Sequence, residues 1–290
     1  MIPVALTIAG SDCSAGAGLQ ADLKTFSALG VYCLTAVTCV VAEVPGKVSR
    51  IQAVAAENVR TQIELLLASF PVAAVKTGLL YSPEVVEIVA DIFEKSALRN
   101  IPLIIDPVMI ATSGDVLLQS AAVEIYRSRL FRLATLVTPN MAEAAALTGR
   151  PVRDIDEMRT AGEQLQAEFG ARFLVKGGHL SGDRAIDLLF DGSRIEEFSA
   201  PFHEGISTHG TGCTYSAAIA AGLAQGHVLE TAIARAKEFV SRAIGEHFSW
   251  TNSLGKIDAL NHVIQASSLS GRPGFQPGAS PSGGQDARST

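Results

Sequence analysis

Val4-Ala5-Leu6-Thr7-Ile8-Ala9-Gly10-Ser11-Asp12-Cys13-Ser14-Ala15-Gly16-Ala17-Gly18 opens the chain with an apolar run that breaks into a Gly-rich turn. A near-continuous apolar run suits a strand buried on both faces, and the turn leads into a segment of helical composition. The same alternation recurs downstream. Strands are expected at Leu34 to Ala42, Ala73 to Lys76, Leu103 to Asp106, Leu136 to Thr138, Phe173 to Lys176 and Ala185 to Phe190, beside the first at Val4 to Ala9. Between them Val59, Ile63, Leu66, Leu67 and Phe70 recur at helical spacing, as do Val85, Val86, Val89, Ile92 and Phe93 after the helix-starting pair Ser82-Pro83. Such stripes are core-facing. The expected fold class is α/β, a mostly parallel sheet covered by helices.

Length and composition set further bounds. A chain of 290 residues with 48% apolar and 18% charged residues has ample material for one large core. Residues 1–266 are expected to form one domain, and the Gly/Pro/Ser-rich stretch 267–290 a disordered tail. The net charge of −6 is spread without a basic stripe, which argues against a nucleic-acid partner. No apolar run reaches the roughly 20 residues that cross a bilayer, and the first residues lack a basic, cleavable leader, so a cytoplasmic location is expected. Cys13, Cys33, Cys39 and Cys213 are too scattered for a zinc site or a paired redox motif and read as reduced thiols.

Two Gly-rich turns precede apparent helices, where unpaired N–H groups and the helix dipole favour an anion. One is Gly10 to Gly18; the other is His209-Gly210-Thr211-Gly212-Cys213, ahead of the small-residue helix Ser216 to Ala224. Gly16-Ala17-Gly18-Leu19-Gln20-Ala21 matches a relaxed dinucleotide fingerprint, but its first Gly does not sit at the strand end, as that motif needs. Gly18 followed by Leu23-Lys24-Thr25 approaches a P-loop, yet Leu23 fills the position of its second Gly. In the second turn, alternating Gly residues let consecutive amides point at one anion.

Taken together, Leu6 to Asp12 and Gly16 to Thr25 resemble the hydroxymethylpyrimidine/phosphomethylpyrimidine kinases of thiamine synthesis, in the ribokinase-like superfamily. Asp106-Pro107-Val108-Met109, Thr138-Pro139-Asn140 with Glu143-Ala144, Lys176-Gly177-Gly178-His179 and Thr208 to Cys213 agree, in the family's order. The resemblance implies a three-layer αβα sandwich, with the site at the carboxyl ends of the strands. It implies ATP as co-substrate, Mg2+ as cofactor, a small hydroxymethylpyrimidine as acceptor, and a possible homodimer. Asp22 and the Gly10 backbone would hold the pyrimidine, Val108 would line its ring, and Cys213 would stand beside the hydroxyl. Lys176 would touch the ATP phosphates with Thr208, His209, Thr211, Asn140 and Lys237, while the Gly210 and Gly212 amides neutralise transferring charge. Asp106 and Glu143 would serve the metal.

Phosphoryl transfer is largely a matter of positioning and charge neutralisation, and these residue types suit it. On local chemistry alone, Asp106 and Asn140 also suit capping positions, and Cys213 a small apolar filler. A thiol at a helix N-terminus is expected to have a lowered pKa and to act as base.

The chain departs from the family at two positions. Val41-Ala42-Glu43 stands where the family resembles Val-Ala-Gln, whose amide the resemblance implies reads the aminopyrimidine edge; an ionised Glu43 offers only acceptors and would suit a ring protonated at that nitrogen or a ligand with two adjacent donors, unless it is itself protonated or points to solvent. Leu79 stands for a Met, a nearly volume-conserving change. Two alternatives follow: a pyridoxal or pyridoxine kinase of the same superfamily, or a non-catalytic pyrimidine-binding protein on this fold.

Overall fold

The computed structural model describes residues 1–95, 98–109, 118, 120–178, 180, 182–206, 209–252 and 255–263. Thr208 and the expected tail at 267–290 lie outside the described residues. Among the described residues the central sheet has nine strands. In chain order they are β1 (Val4–Asp12), β2 (Tyr32–Val44), β3 (Lys47–Ala53), β4 (Val72–Thr77), β5 (Leu103–Ile105), β6 (Leu136–Val137), β7 (Phe173–Gly177), β8 (Arg184–Asp191) and β9 (Arg194–Pro201), and across the sheet they run β3-β2-β1-β4-β5-β6-β7-β8-β9. The six from β2 to β7 are mutually parallel, while β3, β8 and β9 pair antiparallel at the two edges.

Each expected strand is present, with ends moved by a residue or more. β3 and β9 were not expected: β3 is exposed or half-buried throughout, β9 buries only Phe198 and Ala200, and both carry charges, as edge ribbons with one wet face do. A separate hairpin, β10 (Phe248–Asn252) and β11 (Gly255–Ala259), completes the strands.

Helices cover both faces. On one side α2 (Ala56–Ser69), α3 (Pro83–Phe93), α4 (Ser120–Ile125), α5 (Met141–Thr148) and α6 (Ile155–Phe169) share the larger core with Leu6, Ile8, Val75, Leu103 and Phe173 of the sheet. On the other, α1 (Gly18–Ala28), α7 (Thr211–Ala224) and α8 (Leu229–Gly245) pack over Ala5, Ile104 and Leu174. This is the three-layer αβα sandwich. α3 begins as its sequence dictates, with Ser82 accepting from the Val85 N–H and Pro83 at the first helical position.

The small-residue helix α7 begins at Thr211, five residues before the expected Ser216. Its Gly and Ala surface lets it lie close to α8, where a Cβ on Gly222 would come within 2.9 Å of Ala232. Among the described residues no helix is long and apolar enough to cross a membrane.

Candidate active site

The carboxyl ends of the parallel strands open into one cleft. Gly10 enters it from β1, Glu43 from the end of β2, Leu79 from the turn after β4, Asp106 and Val108 from the turn after β5, Asn140 after β6 and Lys176 from β7. The Gly210 to Cys213 turn and Lys237 of α8 close the other wall. Parallel strands place their free ends on one rim, which is why residues scattered from 10 to 237 meet there.

The two Gly-rich turns touch. Gly210, the N-cap of α7, has φ +82°, and a Cβ there would overlap the carbonyl oxygen of Gly16. Gly18, the first residue of α1, has φ +56°, and a Cβ there would overlap the Gly10 carbonyl. Both positions require glycine for conformation and for space. Asp12 organises the first turn: its carboxylate accepts from the N–H groups of Ser14, Gly16 and Ala17 at 2.7, 3.1 and 2.8 Å. Its Oδ2 also lies 3.3 Å from His209 Nε2, which ties this turn to the second. Burial alone would raise the Asp12 pKa, but His209 and the N–H donors hold it below the ordinary carboxylate value.

At the centre Lys176 Nζ donates to Asp106 Oδ1 at 2.9 Å. Asp106 also accepts from Thr138 Oγ1 and Ser216 Oγ, both at 3.2 Å. Burial would raise its pKa, yet the ammonium groups of Lys176 and Lys76 hold it low. Gly212 lies close over this pair, where a Cβ would be 3.2 Å from Lys176 Nζ.

Asn140 and Glu143 form a capping box at the start of α5: Asn140 Oδ1 accepts from the Glu143 N–H and Glu143 Oε2 from the Asn140 N–H, each at 2.9 Å. Glu143 Oε1 accepts from the Met109 N–H at 3.1 Å, which pins the turn where Val108 is held at φ +42°. That angle is costly for a β-branched residue, by about 1 to 3 kcal/mol, and it points to a backbone shaped for the cleft. Burial raises the Glu143 pKa against the pull of Lys176.

Asp106 and Glu143 fit Mg2+ in the manner of sites that use one or two carboxylates together with substrate phosphates. Among the described residues no group of three His, Cys, Asp or Glu side chains could cage a metal alone. The donor set is oxygen-only and incomplete without a ligand.

Lys237 Nζ donates to Asp187 Oδ2 at 2.6 Å, while Asp187 Oδ1 accepts from the Gly177 N–H at 3.1 Å. One carboxylate thus fixes Lys237 and the backbone next to Lys176. Thr211 also lines the cleft, with its buried Oγ1 unpartnered among the described residues.

Two expectations change. Asp22 does not line the cleft: it is fully buried beneath it, with Lys76 Nζ at 2.8 and 3.0 Å from its two oxygens and Thr7 Oγ1 at 2.6 Å. Its side chain leaves α1 toward the sheet, where Lys76 stands one residue before the end of β4. The Cys213 thiol is not acidified. Burial pushes its pKa up to about 11, against the partial opposing effects of the Lys76 ammonium and the Gly18 N–H. Desolvation outweighs the helix N-terminus.

Leu79 and Val108 pack with Cys39 and Val41 into a small apolar cluster at the β2 side of the cleft, and Glu43 stands at its edge. Asp12, Lys76, Asp187 and Ser216 escaped the sequence reading; Asp12 and Lys76 lie in stretches recognised only as a turn and as a strand end.

With this geometry in view, residues 12–258 match the phosphomethylpyrimidine kinase family. The chain belongs to that family. A hydroxymethylpyrimidine/phosphomethylpyrimidine kinase of Streptomyces coelicolor is 44% identical over 257 residues, covering 88% of this chain and 94% of that protein. Among solved structures, Bacillus subtilis pyridoxal kinase in an ADP complex superposes with a TM-score of 0.83 at 36% identity, over 93% of this chain and all of that one. Phosphomethylpyrimidine kinase of Clostridium difficile gives a TM-score of 0.73 at 36% identity, over 83% of this chain and 99% of that one. The phosphomethylpyrimidine kinase family is thus shown by sequence along nearly the whole described body, and its ribokinase-like fold by structure.

Proposed function

We propose that this kinase transfers the γ-phosphoryl group of ATP to the hydroxymethyl group of 4-amino-5-hydroxymethyl-2-methylpyrimidine, and then a second to the resulting monophosphate, in thiamine diphosphate biosynthesis. The observation that carries this reading is the convergence of Lys176, the Gly210 to Cys213 turn and Asp106 on one rim, beside the apolar cluster of Cys39, Val41, Leu79 and Val108.

Lys176 and the turn amides neutralise charge on the transferring group, and the burial of the Lys176–Asp106 pair strengthens these interactions. Lys237, aligned by Asp187, binds the nucleotide phosphates from the other wall. Mg2+, held by Asp106 and Glu143, would supply charge neutralisation on the phosphate oxygens. Cys213 faces the acceptor hydroxyl, while Asp22 acts from beneath, holding Lys76 in place. Because the resting thiol is protonated, Cys213 serves the first transfer as a base only through its thiolate form. The second acceptor is an already ionised phosphate and needs no base. The same reading makes the enzyme cytoplasmic and dimeric; size-exclusion chromatography with light scattering tests the dimer.

The deciding experiment is ADP release with Mg-ATP and a panel of hydroxymethylpyrimidine, its monophosphate and pyridoxal. Turnover with the first two is expected. Turnover with pyridoxal alone would overturn the acceptor assignment, and no turnover with any would make the chain a binding protein.

A further inference from the structure

Glu43 lines the acceptor end of the cleft. Along β2 the side chains alternate, so Cys39, Val41 and Glu43 share the face that turns to Leu79 and Val108, and the first two are buried there. The pairing shifts opposite this point, where Ala42 faces Arg50 and Glu43 faces Val48, so the extra residue, Ser49, lies on β3 and the alternation along β2 is kept. The backbone of Glu43 is also clamped: its N–H donates to Cys13 Sγ at 3.4 Å and its carbonyl accepts from the same thiol at 3.2 Å.

The groups around the Glu43 carboxyl are Asp12 of β1, Cys13 after it, His209 before α7, Cys39 on the same strand and Lys47 on the paired strand β3. His209 is directed to Asp12, at 3.3 Å. Among the described residues none forms an ion pair with Glu43. Burial and the Asp12 charge raise its pKa, and His209 opposes them. A half-buried carboxylate without a counter-ion is costly unless the ligand brings the partner.

We propose that Glu43 binds the aminopyrimidine edge of the acceptor through one proton shared between its carboxyl group and the adjacent ring nitrogen, the exocyclic amine donating to the second oxygen. An aminopyrimidine edge presents a donor beside an acceptor. An ionised carboxylate presents only acceptors, so the pair matches only when one proton is added to Glu43 or to the ring. Either way the complex holds one proton more than the ionised side chain and the neutral base apart, and that proton comes from solvent. Acceptor binding therefore weakens with rising pH wherever both free partners are deprotonated, with a limiting slope of about tenfold per pH unit. The inference rests on the proposed pyrimidine acceptor.

The test is isothermal titration of the full chain with hydroxymethylpyrimidine in the absence of ATP, at pH 8, in two buffers of different ionisation enthalpy. KM for the same compound is then measured from pH 6 to 9 in wild type and Glu43→Gln. Uptake of close to one proton in the wild type, with a KM that climbs toward tenfold per pH unit and is flat in Glu43→Gln, is expected. A flat wild-type KM with no proton uptake overturns the proposal. So does the same slope in both proteins, which would assign the proton to another group. Absent turnover with a one-proton binding signal would instead fell the kinase reading and leave Glu43 in its role.

Discussion

The two ends of the cleft are built differently. At the transfer end every charged group is interlocked: Lys176 with Asp106, Asp106 with Thr138 and Ser216, Glu143 with two backbone N–H groups, Lys237 with Asp187. At the acceptor end an apolar cluster of Cys39, Val41 and Leu79 meets the carboxylate of Glu43, which has no ion-pair partner among the described residues. The contrast follows from what each end receives. A triphosphate is the same in every kinase reaction, so its charges can be matched in advance by a preorganised network. An acceptor ring is told from its relatives by a few donors and acceptors, so the site keeps groups whose partners arrive with the ligand.

Substitutions at the transfer end should therefore strike kcat or the KM for ATP, and those at the acceptor end the KM for the acceptor. The largest effect is expected from Lys176→Met, which removes a phosphate-neutralising charge and leaves Asp106 short of a partner; kcat for both acceptors should fall on the order of 10³-fold in steady-state assays. A loss confined to the KM for the acceptor would break the contrast. Gly210→Ala forces a Cβ against the Gly16 carbonyl and an unfavourable φ, so the two turns must part. A kcat loss of about 10²-fold with a lowered Tm is expected, read by turnover and thermal melting.

Cys213→Ala sharpens the comparison within the transfer end, because only the first acceptor must lose a proton. Turnover of the hydroxymethyl compound should drop about 10²-fold, and that of its monophosphate by less than about tenfold. Equal losses would remove the base role. With the thiol pKa near 11, alkylation of Cys213 by iodoacetamide, followed by peptide mass spectrometry, should keep accelerating through pH 9 without a plateau. Asp187→Asn loosens Lys237 and should raise KM for ATP about tenfold, leaving the acceptor KM unmoved. Leu79→Met, near-isosteric in the ring pocket, should change acceptor KM by a few-fold at most.

How much of this was legible in the sequence differs between the same two ends. The parallel strands announce themselves because they are buried on both faces, and their carboxyl ends carry Asp106, Asn140 and Lys176 to one rim. The cap at Asn140 is local and readable three residues ahead, in Glu143. β3 and β9 were illegible because edge ribbons lack an apolar run. Asp22 was misplaced because the direction of a side chain on α1 is set by what packs beneath it. Lys76 explains that direction, but a lysine in a buried strand makes sense only once its distant carboxylate is known. The Cys213 thiol misled for a related reason: a helix start is visible in sequence, whereas the burial that outweighs it is not.

The Asp22–Lys76 pair has a consequence for assembly. Lys76 lies opposite Thr7 in the β1–β4 pairing, and Thr7 donates to the same carboxylate. Sliding β4 by one residue would turn the ammonium to the opposite face, among Ile8, Val75 and Val86, with nothing to neutralise it. One mismatched charge in that layer costs several kcal/mol, so the pair acts as a key that admits a single alignment of the two central strands.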